Sequence, residues 1–325
     1  GDTPVEYASV PLTCYEGKGY RRETFESIST LLENYYASRD TITRIRQKSS
    51  DLRRIVQTAL ERSCKKYDLQ LKQLKDTEKR EKYRIYGELL NTYGYELKGG
   101  EKSFKCINYY DNEEITIPLD PQLTARENAQ KHFDKYNKLK RTYEALSQLT
   151  METKAEVDHL ESVSSALDIA LEENDLVQIK EELMEFGYVK KRRANEKRPK
   201  ITSKPFHYIS SDGYDIFVGK NNYQNEELTF KVASGNDWWF HAKGIPGSHA
   251  IVKSNGQADL PDRVFEEAGA LAAYYSKGRE NDKVEIDYIQ KKNIKKVAGA
   301  APGFVIYHTN YSLVASPRCD LKEVK

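Results

Sequence analysis

The chain has 325 residues, and 52 Lys and Arg against 50 Asp and Glu leave a formal net charge of only +2. Charged side chains make up 31% of it and hydrophobic ones 38%, with a mean hydropathy of −0.78. A chain this polar cannot fold around one compact core, so two or three units with charge-rich helices are expected, and with no run of about eighteen apolar residues a membrane-spanning helix is excluded.

The opening stretch GDTPVEYASV has neither a basic start nor an apolar run, so no secretory signal is expected, and without an initiator Met the chain is expected to be a piece of a longer protein. Cys14, Cys64, Cys106 and Cys319 are far apart and form no CxxC pair. They are expected as reduced structural thiols in a cytoplasmic protein, with no zinc ribbon.

Glycine and proline are absent from residues 20–86 and again from 122–186. Two uninterrupted windows of similar length predict an antiparallel helical coiled-coil hairpin. In the second window Leu139, Tyr143, Leu146, Thr150, Thr153, Val157, Leu160, Ser164, Leu167 and Leu171 alternate steps of four and three, which keeps one seam on one side of a helix. In the first, Ile42 and Ile45 begin a seam that Leu52, Val56, Ala59, Ser63, Tyr67, Leu71 and Leu74 continue less evenly. Between the windows, Phe104–Tyr110 and Glu114–Pro118 read as two short strands around Asp111-Asn112. They predict a small β tip at about 90–120. Thr124 and Glu127 have capping-box spacing for the returning helix.

Residues 188–205 read as a basic linker. The following unit, 206–325, reads as a mixed α/β globular domain. Its predicted strands are Tyr208–Ile209, Tyr214–Val218, Trp238–Ala242, Ala250–Lys253, Val284–Ile289, Ile294–Val297, Phe304–Tyr307 and Tyr311–Ala315, all in one sheet, with helices over Glu226–Val232 and Pro261–Ser276. The fold class is therefore α+β. Residues 188–325 carry 23 basic and 16 acidic side chains, a net of +7, and the remainder is at −5.

Lysine clusters exchange phosphate for condensed counterions, so Lys190, Lys191, Arg192 and Arg193, and Lys291, Lys292, Lys295 and Lys296, point to a nucleic-acid partner. On a strand, Trp238 and Phe240 share one face and Trp239 and His241 the other; either face suits base stacking or core packing. The loop Lys243-Gly244-Ile245-Pro246-Gly247-Ser248-His249 has amides able to cradle a phosphate, without Walker spacing. Ser248 beside His249 does not make a nucleophile and base, because adjacent strand residues face opposite ways. His241, His249 and His308 match no metal-ligand spacing. No cofactor, metal or catalytic residue is expected.

GNDWWFHAKGIPGSHAIV, LPDRVFEEAGALAAYYSKGR and VEIDYIQKKNIKKVAGAAPGFVIY resemble the RNA-binding domain of the NFACT family, and YISSDGYDIFVGKNNYQNEELTFKVA resembles the segment that opens that domain. RIRQKSSDLRRIV, INYYDNEEITIPLDPQLTARENAQKHFDKYNKLKR and DLVQIKEELMEFGYV are similar to the coiled-coil and middle region of the same family. The resemblance implies that residues 1–25 are the tail of a truncated N-terminal domain, 26–187 the coiled-coil arm and 206–325 the RNA-binding domain. It further implies a ribosome quality-control factor. Such a factor binds the obstructed large ribosomal subunit through rRNA and recruits alanyl-tRNA, so that the full-length protein supports C-terminal alanine tailing of stalled chains. The motif residues carried over are Asp237, Trp239, Phe240, His241, Lys243, Gly247, Ser248 and His249. With Lys220, Asn221 and Asn222 and the two basic clusters, the RNA-binding candidates add Trp239, His241, Lys243, Ser248 and His249. Two other readings stand beside this one: a fibronectin-binding surface adhesin, after an older label of the family, and an RNA-processing enzyme using His241 or His249.

Overall fold

A computed structural model describes residues 4–16, 20, 22–192, 197, 199–257 and 259–324, with only the backbone of Ile42. The fold class is α+β. The chain divides into two compact units, Gly1–Leu60 with Asp158–Lys325, and Glu61–Val157. No helix among the described residues is long and apolar enough to cross a membrane.

The helical windows are interrupted. The first opens only at α1, Ile28–Asp76, passes through a tight turn at Thr77–Lys79 and resumes as α2, Arg80–Tyr93. The second gives α3, Ala125–Ile169, and after a break α4, Glu173–Glu185. Neither break involves Gly or Pro. At the second, the Glu172 side chain caps the amide of Asp175 while the Asp175 carboxylate accepts from the amides of Leu171 and Glu172, both at 3.0 Å. A carboxylate that can satisfy a new helix start competes with continued helix.

In the unit Glu61–Val157, α2 and α3 are antiparallel neighbours. The Arg80 guanidinium lies 4.0 Å from the Tyr143 ring centroid, the Lys135 ammonium 4.3 Å from that of Tyr83, and Gly87 faces Phe133. The ribbon of β1, Ser103–Ile107, and β2, Glu114–Pro118, turns at Asn112, whose φ is +59°. It packs Phe104 and Ile117 against Tyr86, Leu89, Leu90 and Ala129. The capping box forms as the spacing predicts: Glu127 N–H donates to Thr124 Oγ1 at 3.3 Å and Thr124 N–H to Glu127 Oε2 at 2.8 Å. Thr150 and Thr153 sit buried in the seam because their hydroxyls bond to the carbonyls of Leu146 and Leu149. Leu71 departs from the expected seam: it is exposed while Gln70 is buried, the pattern having shifted by one after Tyr67.

In the other unit, α1 runs antiparallel to the end of α3, and α4 folds back along α3 so that Glu182 meets His159 at 2.8 Å. Arg44 and Lys48 pair with Glu173, and Arg53 with Asp168. Beneath these pairs Ile45, Leu52 and Val56 meet Leu160, Val163, Leu167 and Ile179. Leu171, the last expected seam position, is exposed at the helix break. The side chain of Ile42 lies outside the described residues.

The C-terminal sheet has six antiparallel strands: β3, Phe206–Ile209; β4, Asp215–Val218; β5, Trp238–Ala242; β6, Ala250–Val252; β7, Val284–Gln290; and β10, Tyr311–Ala315. Their order is β10-β7-β5-β6-β4-β3. The strands expected around Ile294 and Phe304 do not join it. β8, Lys295–Lys296, and β9, Val305–Ile306, form a separate ribbon, because the turn at Lys291–Asn293 redirects the chain. The helix expected over Glu226–Val232 begins earlier, as α5, Asn222–Glu227, because Asn221 Oδ1 caps the amide of Gln224 at 3.0 Å. Leu228–Val232 continues it as one wide turn. On one face of the sheet α6, Asp262–Tyr274, covers Phe240, Ala242 and Ile286. The opposite face packs Trp239, Ile251 and Ile289 with Leu228 and Ile294.

Candidate nucleic-acid interface

Strand alternation puts Trp239 and His241 on the face opposite α6, as expected, but encloses most of that face. Trp239 is 1% exposed; its ring stacks with His241 at 5.6 Å and meets the edge of His249 at 5.1 Å. His249 is buried against Thr229 Oγ1, 2.7 Å from Nδ1, and hydrogen-bonds to the backbone of Gly303. Burial drives its pKa well below the usual histidine value, with the neighbouring His241 adding to the effect. Burial likewise lowers His241 to about 4, against the pull of the Gly247 carbonyl and of Asp287. Both imidazoles are neutral at physiological pH. Neutral rings tolerate this setting, since each has one donor and one acceptor to satisfy.

The loop before His249 has already spent amides inward. Ser248 N–H donates to Tyr275 O at 2.9 Å and His249 N–H to Asn225 Oδ1 at 3.0 Å. These two cannot cradle a phosphate. Ser248 Oγ is buried without a partner among the described residues. Lys243 is exposed and paired with Glu285, which raises its pKa.

Asp237 ties three segments together. Its carboxylate accepts from Ser234 N–H at 2.7 Å, Ser254 N–H at 2.9 Å and the ammonium of Lys253, and its carbonyl accepts from Lys291 N–H at 2.9 Å. Burial opposes its ionisation, but Lys253 and the amides of Ser254 and Ser234 outweigh it and hold the pKa at about 2. Asp237 thus anchors the turn that presents the lysines. Lys291 is half-buried near the Phe230 ring, Lys292 and Lys295 are exposed, and Lys296 reaches Glu226 at 2.7 Å.

Lys220, Asn221 and Asn222 face inward, toward the acidic end of the second helical window. Lys220 Nζ lies 3.4 Å from Asp175 Oδ1, Asn221 Nδ2 donates to Gln178 at 2.8 Å, and Asn222 Nδ2 donates to Glu182 Oε1 at 2.7 Å. Ser203, Lys277 and Tyr223 extend this seam to Asp175, Glu161 and Glu185. The acidic run therefore meets partners inside the unit. The sequence signal was available: a net-negative helix end beside a net-positive domain calls for pairing between them. Lys190 and Lys191 are exposed, Arg192 pairs with Glu181, and Arg193 lies outside the described residues. Asp287 is a residue the sequence reading missed. It is buried and takes hydrogen bonds from Tyr307, Asn310 and Ser312. Among the described residues, no group of histidine, cysteine and carboxylate side chains could hold a metal ion.

Residues 1–202 match the family model for the NFACT N-terminal and middle domains, and residues 204–308 that for the NFACT protein RNA binding domain. The chain is 42% identical over 99% of its length to "Rqc2 homolog RqcH" of Streptococcus suis, of which the match covers 57%. It is 36% identical over 95% of its length to the protein of that name in Bacillus subtilis, of which 54% is covered. The chain thus spans about half the length of these curated relatives. A solved structure described as the C-terminal of the fibronectin/fibrinogen-binding protein from Streptococcus suis is 38% identical, with a TM-score of 0.67. The match covers 85% of this chain and 97% of that one. A Dictyostelium discoideum homologue of coiled-coil domain-containing protein 25 is 31% identical over 29% of this chain and 48% of its own.

Proposed function

The chain belongs to the NFACT family, and from that premise we propose that it is the RNA-gripping portion of a cytoplasmic ribosome quality-control factor. Its partners in this reading are the rRNA of an obstructed large ribosomal subunit and tRNA, alanyl-tRNA in the full-length protein. The longer protein then supports alanine tailing of the stalled chain. Peptide-bond formation belongs to the ribosome in this account, and the present chain binds and positions.

One observation carries the reading: Lys292 and Lys295 stand exposed beside a turn that the buried Asp237 fixes in place. Ammonium groups held on a rigid turn neutralise phosphates with little ordering cost and release counterions in doing so. Lys190 and Lys191 add charge after α4. An RNA-processing role for His249 has less support, because a ring 3% exposed and held between Thr229 and Gly303 does not face solvent.

The test is co-sedimentation of the chain with purified large subunits across a salt series. Binding at low salt that weakens steadily as salt rises supports the proposal; failure to sediment at low salt refutes it. The name of the Streptococcus suis relative supplies a second reading, capture of fibronectin or fibrinogen. Immobilised fibronectin in the same salt series tests it directly.

A further inference from the structure

We infer, resting on the RNA reading above, that the ribbon β8–β9 takes unpaired nucleotides, with one base stacked on Phe304. Residues directly opposite in an antiparallel pair lie on the same side of the ribbon, and the side alternates along each strand. Lys296 is opposite Val305, and Lys295 is opposite Ile306. Val305 packs inward against the core of Trp239 and Ile251, and Lys296 turns to Glu226. The other side therefore carries Lys295, Ile306 and, one step before Val305, Phe304. Phe304 is 49% exposed and Ile306 39% exposed, and Lys295 is exposed beside them.

The placement of Phe304 is built. Gly303 has φ +78°, and a Cβ there would come within 3.2 Å of the Asn222 carbonyl oxygen. Phe304 N–H donates to Ala301 O at 3.2 Å. The buried Asn222 thus constrains the position from which Phe304 projects.

An aromatic ring flanked by an aliphatic side chain and an ammonium group matches the chemistry of single-stranded nucleic acid: the ring offers a π-face to a base and the lysine meets the neighbouring phosphate. A duplex keeps its base faces occupied by its own stack, so it can use the lysine and not the ring.

The test is fluorescence anisotropy of the 325-residue chain with two labelled probes, an unstructured RNA of about ten nucleotides and a blunt-ended two-strand RNA duplex of equal phosphate number. Phe304→Ala is expected to weaken the unstructured probe by roughly 5- to 150-fold, the loss of one base stack, and to leave the duplex unchanged. Phe304→Trp should restore binding and bring quenching of the new indole by the unstructured probe alone. Lys292→Glu with Lys295→Glu should weaken both probes. If Phe304→Ala leaves the unstructured probe unchanged while the lysine variant weakens it, the stacking inference is overturned and the RNA reading stands. Equal weakening of both probes by Phe304→Ala assigns the ring a structural role and also overturns it. If the lysine variant changes neither probe, the RNA reading itself fails. Thermal unfolding of each variant confirms that this exposed side chain does not alter the fold.

Discussion

Asn222 Nδ2 donates to Glu182 Oε1 at 2.7 Å, and His159 Nε2 approaches the same oxygen at 2.8 Å, all three residues being buried. A single carboxylate oxygen thus joins α3, α4 and the start of α5. Buried carboxylates are costly unless surrounded by donors, and removing such an acceptor leaves its donors unsatisfied. Glu182→Ala is therefore expected to destabilise the protein by about 2–4 kcal/mol. Glu182→Gln keeps an acceptor at Oε1 and should cost clearly less. Urea unfolding of both variants reads the difference, and an unchanged midpoint for Glu182→Ala would remove the seam from any account of stability.

Asp175 does two jobs at the other end of the seam. It starts α4 by accepting from Leu171 and Glu172, and it holds Ser203 and Lys220. Asp175→Ala should raise amide hydrogen exchange at both places, at 171–175 and at 203 and 220–224. The global transition should fall by about 1–3 kcal/mol. Exchange confined to the first place would mean that the contacts to Ser203 and Lys220 are incidental.

This seam also shows what a single sequence conveys and what it leaves open. The heptad steps placed Val157, Leu160 and Leu167 in a buried seam, and the Thr124–Glu127 spacing marked the start of α3, because both depend on residues near one another in sequence. Alternation assigned Trp239 and Phe240 to opposite faces for the same reason. Two features escaped local reading. The lysines of Lys295–Lys296 looked like part of the main sheet, and only the turn at Lys291–Asn293, fixed from a distance by Asp237, sends them into a separate ribbon. Lys220, Asn221 and Asn222 carried the polar chemistry of an RNA site, yet their partners are some forty residues upstream, at Asp175, Gln178 and Glu182. Polarity alone does not tell a solvent-facing donor from one that closes an internal interface.

The lysines are not equivalent, and salt dependence should separate them. Each phosphate contact to single-stranded nucleic acid contributes about 0.7 to the slope of log affinity against log salt. Lys292→Gln with Lys295→Gln is expected to lower that slope by about 1.4. Lys296→Gln should lower it by less than half of one contact, about 0.3, because its ammonium is already engaged by Glu226 at 2.7 Å. Equal effects at Lys295 and Lys296 would show that the pair with Glu226 opens on binding.

Acid should unfold this protein in two stages with different owners. His241 has its pKa lowered from 6.5 to about 4 and His249 well below 6.5, so both are neutral in the folded state. Unfolded histidine takes up a proton first, so their contribution is fully present above pH 6.5 and declines as pH falls toward 4. Asp237 is a carboxylate depressed from 3.8 to about 2, so its contribution holds above 3.8 and is lost on going down to 2. That second loss is worth about 2 kcal/mol for a group this buried. Asp237→Asn should therefore lower stability at neutral pH and flatten the pH dependence below 4, leaving the upper stage intact. His241→Gln should shrink the upper stage to the share that His249 supplies and leave the lower. Urea unfolding at half-unit pH intervals separates the two, and a wild-type curve that stays level from pH 6.5 to 4 would contradict the lowered pKa of both imidazoles.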